Sequence, residues 1–292
     1  MPSQELPSHV TQAHSSESVA GEQNTLLRYS ICADAFWLDR PFLERLDLIA
    51  DAGFSHFEFW KFQAGKRPGA DKDIDAIARL CARRSLSVVQ FSAGWSLNSA
   101  ERRAEFLAEL DAAVIVAGRL GVKLMTVIAG RELEGVPRAE QIREVIASLA
   151  AAAPIAQAAG VTLMLEPTNV LVDHPGQLLS QSAEAAEIIS AVNSAHVKMA
   201  FDVYHQQISE GNLTGNIKKY QHLIAHYQIA DYPGRHEPGT GEINMPHVLR
   251  TIHDTGYRGM IGLELFPKAD PMRALAAVLA ADRAAAALAE PL

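Results

Sequence analysis

Three acidic residues and one amide occupy equivalent places in the second half of this 292-residue chain. Val161-Thr-Leu-Met-Leu165 runs into Glu166, and Val197-Lys-Met-Ala-Phe201 runs into Asp202. Met260–Leu263 runs into Glu264, and Gln228 lies near the end of Ile224–Ile229. Short apolar runs bounded by polar residues read as buried strands. If these strands lie parallel and adjacent, their ends converge. Gathered carboxylates repel one another, and removing several from water is unfavourable unless a cation compensates. Glu166, Asp202, Gln228 and Glu264 are therefore candidate metal ligands, and an all-oxygen set suits Mg2+ or Mn2+ better than a structural zinc. Taken singly, each has a structural alternative: a carboxylate ending a strand can cap a helix or pair with a base, and a lone Gln can hydrogen-bond in a core. Their recurrence at four successive strand ends selects the metal reading.

The rest of the chain carries the pattern such a site requires. Strands are expected at Arg28–Ala33, His56–Trp60, Ser87–Ser92 and Lys123–Ala129, followed by Val161–Glu166, Val197–Asp202, Ile224–Ile229 and Met260–Glu264. Between them, apolar residues recur at helical spacing, as in Phe42, Leu43, Leu46 and Ile49 or Ile142, Val145, Ile146 and Leu149. Gly53, Gly121 and Gly160 mark helix ends, and Asn98-x-x-Glu101 reads as a capping box. Strand–helix alternation implies parallel strands, because parallel neighbours need a crossover. About eight such units predict an α/β fold, a closed (β/α)8 TIM barrel with its chemistry at the C-terminal ends of the strands. No GxGxxG or Walker sequence follows a strand, which argues against an open nucleotide-binding sheet. Residues 1–26, rich in Ser, Gln, Glu and His, read as a disordered or loosely attached extension in which His9 and His14 are solvated; residues 27–292 form one catalytic domain. An Ala-rich helix over 271–288 closes the barrel or supplies a homo-oligomer contact.

Composition narrows the partners. A net charge of −8 disfavours a surface that tracks nucleic-acid phosphates. Cys32 and Cys81 form no CxxC pair and read as reduced, buried thiols. No apolar run reads as long enough to span a bilayer, and no basic–apolar–small secretory order opens the chain, so the expected location is cytoplasmic and the expected partner a small molecule.

Longer motifs then point to a family. Leu165-Glu166-Pro167-x-Asn169, Asp202-Val-Tyr-His205-Gln-Gln207-Ile-x-Glu210-Gly211 and Gln228-Ile-Ala-Asp231-x-Pro-Gly-Arg235-His236-Glu237-Pro-Gly-Thr-Gly-Glu242-Ile-Asn244 resemble the hydroxypyruvate isomerases, a branch of the xylose-isomerase-like barrels. Phe57-Glu58-Phe59-Trp60 and Lys72-Asp73-Ile74-Asp75 resemble that family's second strand and following helix. The resemblance runs from about residue 28 to Phe266. It implies that Glu166, Asp202, Gln228 and Glu264 are metal ligands, that Glu166 and Glu264 are also the catalytic acid/base pair, and that His205 contacts substrate. Related ketose 3-epimerases place a histidine where this chain has Gln228, which favours the hydroxypyruvate isomerase branch. The implied reaction moves a carbonyl between adjacent carbons of a small hydroxy-carbonyl substrate through an enediolate.

The chain departs from the pattern after Asn169. Some hydroxypyruvate isomerases carry Thr-Arg-Asp there, whereas this chain reads Val170-Leu171-Val172-Asp173-His174-Pro175-Gly176, and the loop between Gly94 and Asn98 looks short. An anionic substrate still needs a cationic partner, and a guanidinium fits a carboxylate in a two-pronged way. Arg235 is the expected substrate-binding residue, with His236 beside it; the alternative has Arg235 pairing with Glu237 or Glu242 to shape its loop. A 3-epimerase or isomerase of a longer ketose or keto acid is the competing enzyme reading. A metal-dependent phosphodiesterase of the endonuclease-IV-like kind would need more histidine ligands, and a non-catalytic sugar-binding barrel would not need both glutamates.

Overall fold

The computed structural model describes residues 25–62 and 72–288. Its strands are β1 Arg28–Cys32, β2 His56–Glu58, β3 Ser87–Val88, β4 Gln90–Trp95, β5 Leu124–Ile128, β6 Thr162–Leu165, β7 Val197–Asp202, β8 Ile224–Ile229 and β9 Met260–Leu263. The helices are α1 Phe42–Asp51, α2 Ile74–Arg84, α3 Ala100–Leu120, α4 Arg138–Ala159, α5 Ser182–Val192, α6 Val203–Ser209, α7 Leu213–Tyr220, α8 Met245–Asp254 and α9 Pro271–Ala287. All strand pairings are parallel, in the order β3-β2-β1-β9-β8-β7-β6-β5-β4.

Nine segments make eight barrel positions, because the strand expected at Ser87–Ser92 is divided at Val89. Its first part pairs with β2 and its second with β5. Bonds from Val89 N to Phe57 O (2.8 Å) and from Phe59 N to Gln90 O (3.3 Å) bring the two ends of the sheet together, giving a nearly closed TIM barrel. The second part also runs further than expected, so Gly94 lies in β4, where a Cβ would stand 2.8 Å from the Phe106 ring.

The strands are buried on both faces, as a barrel inside a helical ring requires. Tyr29 and Ile31, Met199 and Phe201, and Tyr227 and Ile229 fill the core with other apolar side chains. Glycine ends two of the long helices: Gly121 (φ +71°) and Gly160 (φ +65°) take the left-handed conformation that other residues resist. Asp73 and Asp270 cap α2 and α9 by accepting from Ala76 N and Arg273 N, each at 2.9 Å. Asp282 on α9, fully buried, accepts from Leu26 N (2.6 Å), Leu27 N (3.1 Å) and the Tyr29 hydroxyl (2.6 Å). The last helix thus anchors the first strand, and Leu26 is held although the sequence placed it in the loose extension; His9 and His14 lie outside the described residues.

Three expectations are corrected. Asn98 and Glu101 form no capping box: the N-cap of α3 is Ser99, and the buried Asn98 side chain donates to Arg131 O (2.6 Å) and Gln141 Oε1 (3.0 Å). Cys32 is fully buried, but Cys81 is only partly so. Finally, α4 is long and apolar enough by length and composition to cross a membrane, contrary to the sequence reading. It is a helix of the outer ring, packed between α3 and α5 against β6, with Val145, Leu149, Ala152 and Ala156 fully buried.

Candidate active site

The C-terminal ends of β6, β7, β8 and β9 carry the candidate residues. Glu166 and Glu264 each follow the last residue of a strand, Asp202 is the last residue of β7, and Gln228 is the penultimate residue of β8. Asp202 and Gln228 are directly paired in register, and Gln228 is paired with Gly262 on β9. All four are buried. Asp202 also caps α6, accepting from Tyr204 N at 2.9 Å, so its carboxylate is held at the start of a helix.

Among the described residues, Glu166, Asp202 and His205 each offer one ligand atom within 4.8 Å of the others, a group that can hold a metal ion. Hydrogen bonding gives His205 a different role within that group. Asn169 Oδ1 accepts from Val172 N and Asp173 N (3.0 Å each), so its amide nitrogen must face His205 Nδ1, 2.7 Å away. An amide NH2 only donates, so Nδ1 accepts and the ring proton sits on Nε2. Nε2 lies 3.5 Å from Asp202 Oδ2 and 3.8 Å from Glu166 Oε1. His205 therefore presents an N–H donor beside the carboxylates. Its pKa lies well below the usual histidine value, through burial and then the nearby Arg235 and His174, so the ring is neutral.

Arg235 is the cation inside the acidic cluster. One Nη2 stands 3.0 Å from both Asp202 Oδ2 and Glu264 Oε1, Nε donates to Glu264 O (3.3 Å), and the guanidinium lies 5.1 Å from the Tyr204 ring centre. The loop alternative does not hold: Glu237 accepts from Lys268 N and Glu242 from Gln207 Nε2. The buried Asp231 shapes this loop by accepting from the backbone N–H groups of Tyr232, Gly239, Gly241 and Ile243 at 2.9–3.0 Å. Gly241 is required there, since a Cβ would meet Tyr232 O at 2.1 Å. His236 lies in the same loop, but its Nδ1 is committed to Phe266 O at 2.6 Å.

Electrostatics reflects the crowding. Burial, then repulsion from Glu264 and Asp202, pushes Glu166 well above the usual carboxylate range. Burial also raises Asp202, although Arg235 opposes it. Burial together with Asp202 and Glu58 raises Glu264 to about 7 against Arg235 and a 2.6 Å bond from Trp60 Nε1. Two buried oxygens here, Gln228 Oε1 and Glu264 Oε2, have no hydrogen-bond partner. Carboxylates that resist ionisation, beside unpartnered acceptors, are what a divalent cation would satisfy. The donor set therefore fits a metal ion.

A layer of polar residues supports the site from below, and the sequence reading did not assign it. Glu58 is fully buried and accepts from Ser30 Oγ (2.6 Å), Gln90 Nε2 (3.2 Å), His226 Nε2 (2.9 Å) and Gln228 Nε2 (3.0 Å). Burial alone would raise its pKa, but His226, Ser30 and Gln90 outweigh it and hold the group below the ordinary value. The available signals were an acid within the apolar run Phe57–Phe59 and a histidine two residues before Gln228, on the same face of its strand. Trp60 was visible only as part of a motif.

The family model described as xylose isomerase-like TIM barrel matches residues 46–282. The chain belongs to that family. It is 30% identical over 252 residues to the hydroxypyruvate isomerase of Escherichia coli, covering 83% of this chain and 95% of that one. It is 38% identical over 168 residues to the 2-oxo-tetronate isomerase of Cupriavidus necator, covering 58% of this chain and 64% of that one. The chain likewise spans 65% of the length of the vertebrate relatives called putative hydroxypyruvate isomerase. A crystal structure described as AP endonuclease, family 2, from Brucella melitensis superposes with a TM-score of 0.77 at 31% identity, covering 86% of this chain and 97% of that one.

Proposed function

We propose that this member of the xylose isomerase-like barrels is a divalent-metal-dependent isomerase that interconverts hydroxypyruvate and tartronate semialdehyde (2-hydroxy-3-oxopropanoate). The observation that carries the reading is the acidic cluster in which Asp202 and Glu264 share Arg235 and Glu166 stands with Asp202 and His205, with unpartnered oxygens on Gln228 and Glu264. Glu166, Asp202, Gln228 and Glu264 would hold Mg2+ or Mn2+. When bound, the ion acts as a Lewis acid towards the substrate's adjacent oxygens and stabilises charge developing there.

The protein's own residues supply the proton movements and the orientation. A glutamate, Glu166 or Glu264, takes the proton from C3, and a proton returns at C2. The O3 hydroxyl proton moves to O2, so the substrate changes connectivity without changing composition. Burial and the neighbouring acids raise Glu264 to about 7 without an ion, and a bound cation would favour its ionised, proton-accepting form. His205, neutral and protonated on Nε2, donates a hydrogen bond to a substrate oxygen. Arg235, held over the Tyr204 ring with Nη2 on Asp202 and Glu264 and Nε on the Glu264 carbonyl, would turn Nη1 to the substrate carboxylate.

A longer keto acid is the second reading, favoured by the Cupriavidus necator relative and by the loop after Asn169. That loop presents Leu171 and Val172, 72% and 51% exposed, where some hydroxypyruvate isomerases carry an arginine. The deciding experiment assays hydroxypyruvate, four-carbon 2-keto acids and neutral ketoses with Mg2+, Mn2+ and Co2+. Greatest kcat/KM on hydroxypyruvate supports the first reading. Preference for a four-carbon acid selects the second, and preference for neutral ketoses would move the protein to epimerase or ketose isomerase chemistry.

A further inference from the structure

Glu58 lies on β2, yet it binds His226 and Gln228 on β8, with β1 and β9 between them in the sheet. Such a span is feasible only across the barrel's interior. The neighbours along the route make room: β1 contributes the small, hydrogen-bonding Ser30, and β9 contributes Gly262. A Cβ on Gly262 would lie 2.6 Å from both Glu58 carboxylate oxygens. The atoms nearest to that Cβ position all belong to the Glu58 carboxylate, and the backbone of Gly262 does not require a positive φ. The residue is small there because Glu58 passes beside it.

The chemistry of the contact fixes a direction. An ionised carboxylate only accepts, so Gln228 must turn its NH2 towards Glu58. The other end of the amide, Oε1, is the buried atom left without a partner. Had the amide turned over, two acceptors would face each other and an N–H group would take the unpartnered position of Oε1. A carboxylate bound to an amide N–H also draws electron density towards the amide oxygen, as a carboxylate behind a metal-ligating histidine raises the basicity of that ligand.

We infer that Glu58, through its bond to Gln228 Nε2 in the space left by Gly262, is a positioning residue that turns and polarises the Gln228 amide so that Oε1 serves as a metal ligand. This rests on the metal-dependent reading above. It also accounts for how an amide, ordinarily a weak ligand, can work at this position. Ser30, Gln90 and His226 hold Glu58 in place, and Thr126 holds Gln90 through a 3.0 Å bond to Oε1.

The test is a double-mutant cycle read as Mn2+ affinity by titration calorimetry, on protein whose thermal unfolding shows it folded. Glu58→Gln should weaken Mn2+ binding about 10- to 100-fold, the usual range for residues supporting a ligand. In a Gln228→Ala background the same change should have less than about a threefold effect, because the group through which Glu58 acts is gone. Gly262→Ala, which displaces the carboxylate without altering any ligand, should reproduce the loss. Equal fold-losses in both backgrounds, or no loss in either, overturn the inference while leaving the metal reading intact. Wild-type protein that binds no Mn2+ overturns the metal reading and this inference with it. If the variants do not fold, the side-chain amide 15N–1H signals of Gln228 in the native protein decide. One proton shifted downfield by the carboxylate supports the assignment, and a solvent-like pair overturns it.

Discussion

The crowding of Glu264 makes a measurable claim about stability without metal. Its pKa rises from 4.5 to about 7, through burial first and then the neighbouring acids. A carboxyl raised on folding means that the folded state binds more protons than the unfolded chain between those two values. Its stabilising contribution is therefore complete below about 4.5 and is lost as pH climbs through about 7. At about 1.4 kcal/mol per unit, the loss over that interval is roughly 3 kcal/mol. Other groups titrate in the same interval. His205, held well below the histidine range by burial, Arg235 and His174, acts in the opposite sense below its ordinary value. Glu264→Gln has nearly the same shape and does not titrate, so it removes the Glu264 contribution together with the share of the Glu166 shift that Glu264 causes, and the wild-type-minus-variant difference reports that coupled pair. Urea unfolding in EDTA at pH 5, 6, 7 and 8 should show wild type losing about 2.5 kcal/mol relative to the variant, most of it before pH 7. Saturating Mn2+ should reverse the trend, since an ion favours the ionised carboxylate; at a hundred times Kd it adds about 2.7 kcal/mol. Parallel stability curves in EDTA, or a difference that grows above pH 7 instead of levelling off, would refute the reasoning.

Three further outcomes follow from the same site. Asp202→Ala should lower metal occupancy and activity together while the far-ultraviolet circular dichroism stays that of the barrel; full occupancy by elemental analysis would remove Asp202 from the ligand set. Glu166→Gln keeps an oxygen and the shape but loses the base, so kcat should fall about 10²–10⁴-fold with a smaller change in KM, and near-normal turnover would exclude Glu166 from proton transfer. Arg235→Lys keeps the charge but loses the planar fork, so kcat/KM on hydroxypyruvate should drop much more than on any neutral ketose that is turned over; equal losses would make Arg235 structural.

How much of this was readable beforehand depends on the distance over which each feature is determined. The alternation of strands and helices is local, because the period of the apolar residues reports which face is buried, and the barrel was legible from it. Glu166, Asp202 and Glu264 were legible for a related reason: an acid ending an apolar strand is conspicuous, and parallel topology then places such ends together. Asn98 shows where local reasoning fails. Its spacing to Glu101 is that of a capping box, yet its NH2 group is taken by Gln141 and the Arg131 carbonyl, while Oδ1 stays without a partner. The tertiary partner prevails over the local motif. Arg235 illustrates the same principle in the active site. Glu237 and Glu242 are its acidic neighbours along the chain, but the backbone N–H bonds to Asp231 fold the loop so that the guanidinium reaches Asp202 and Glu264, 33 and 29 residues away. The supporting layer is more distant still, since Glu58 and Gln228 are separated by 170 residues. Nothing in either segment alone names the other as partner. What could be read was the anomaly of each: an acid, a histidine and an amide on strands otherwise built for burial. In a closed barrel the interior offers little water, so such residues must satisfy one another, and that requirement links Ser30, Glu58, Gln90, His226 and Gln228 into one network. Because that network ends at the Gln228 amide, on the residue paired in register with Asp202, the barrel interior and the candidate site form one connected layer, and on the metal reading a change at Gly262 or Ser30 should lower Mn2+ affinity before it unfolds the barrel.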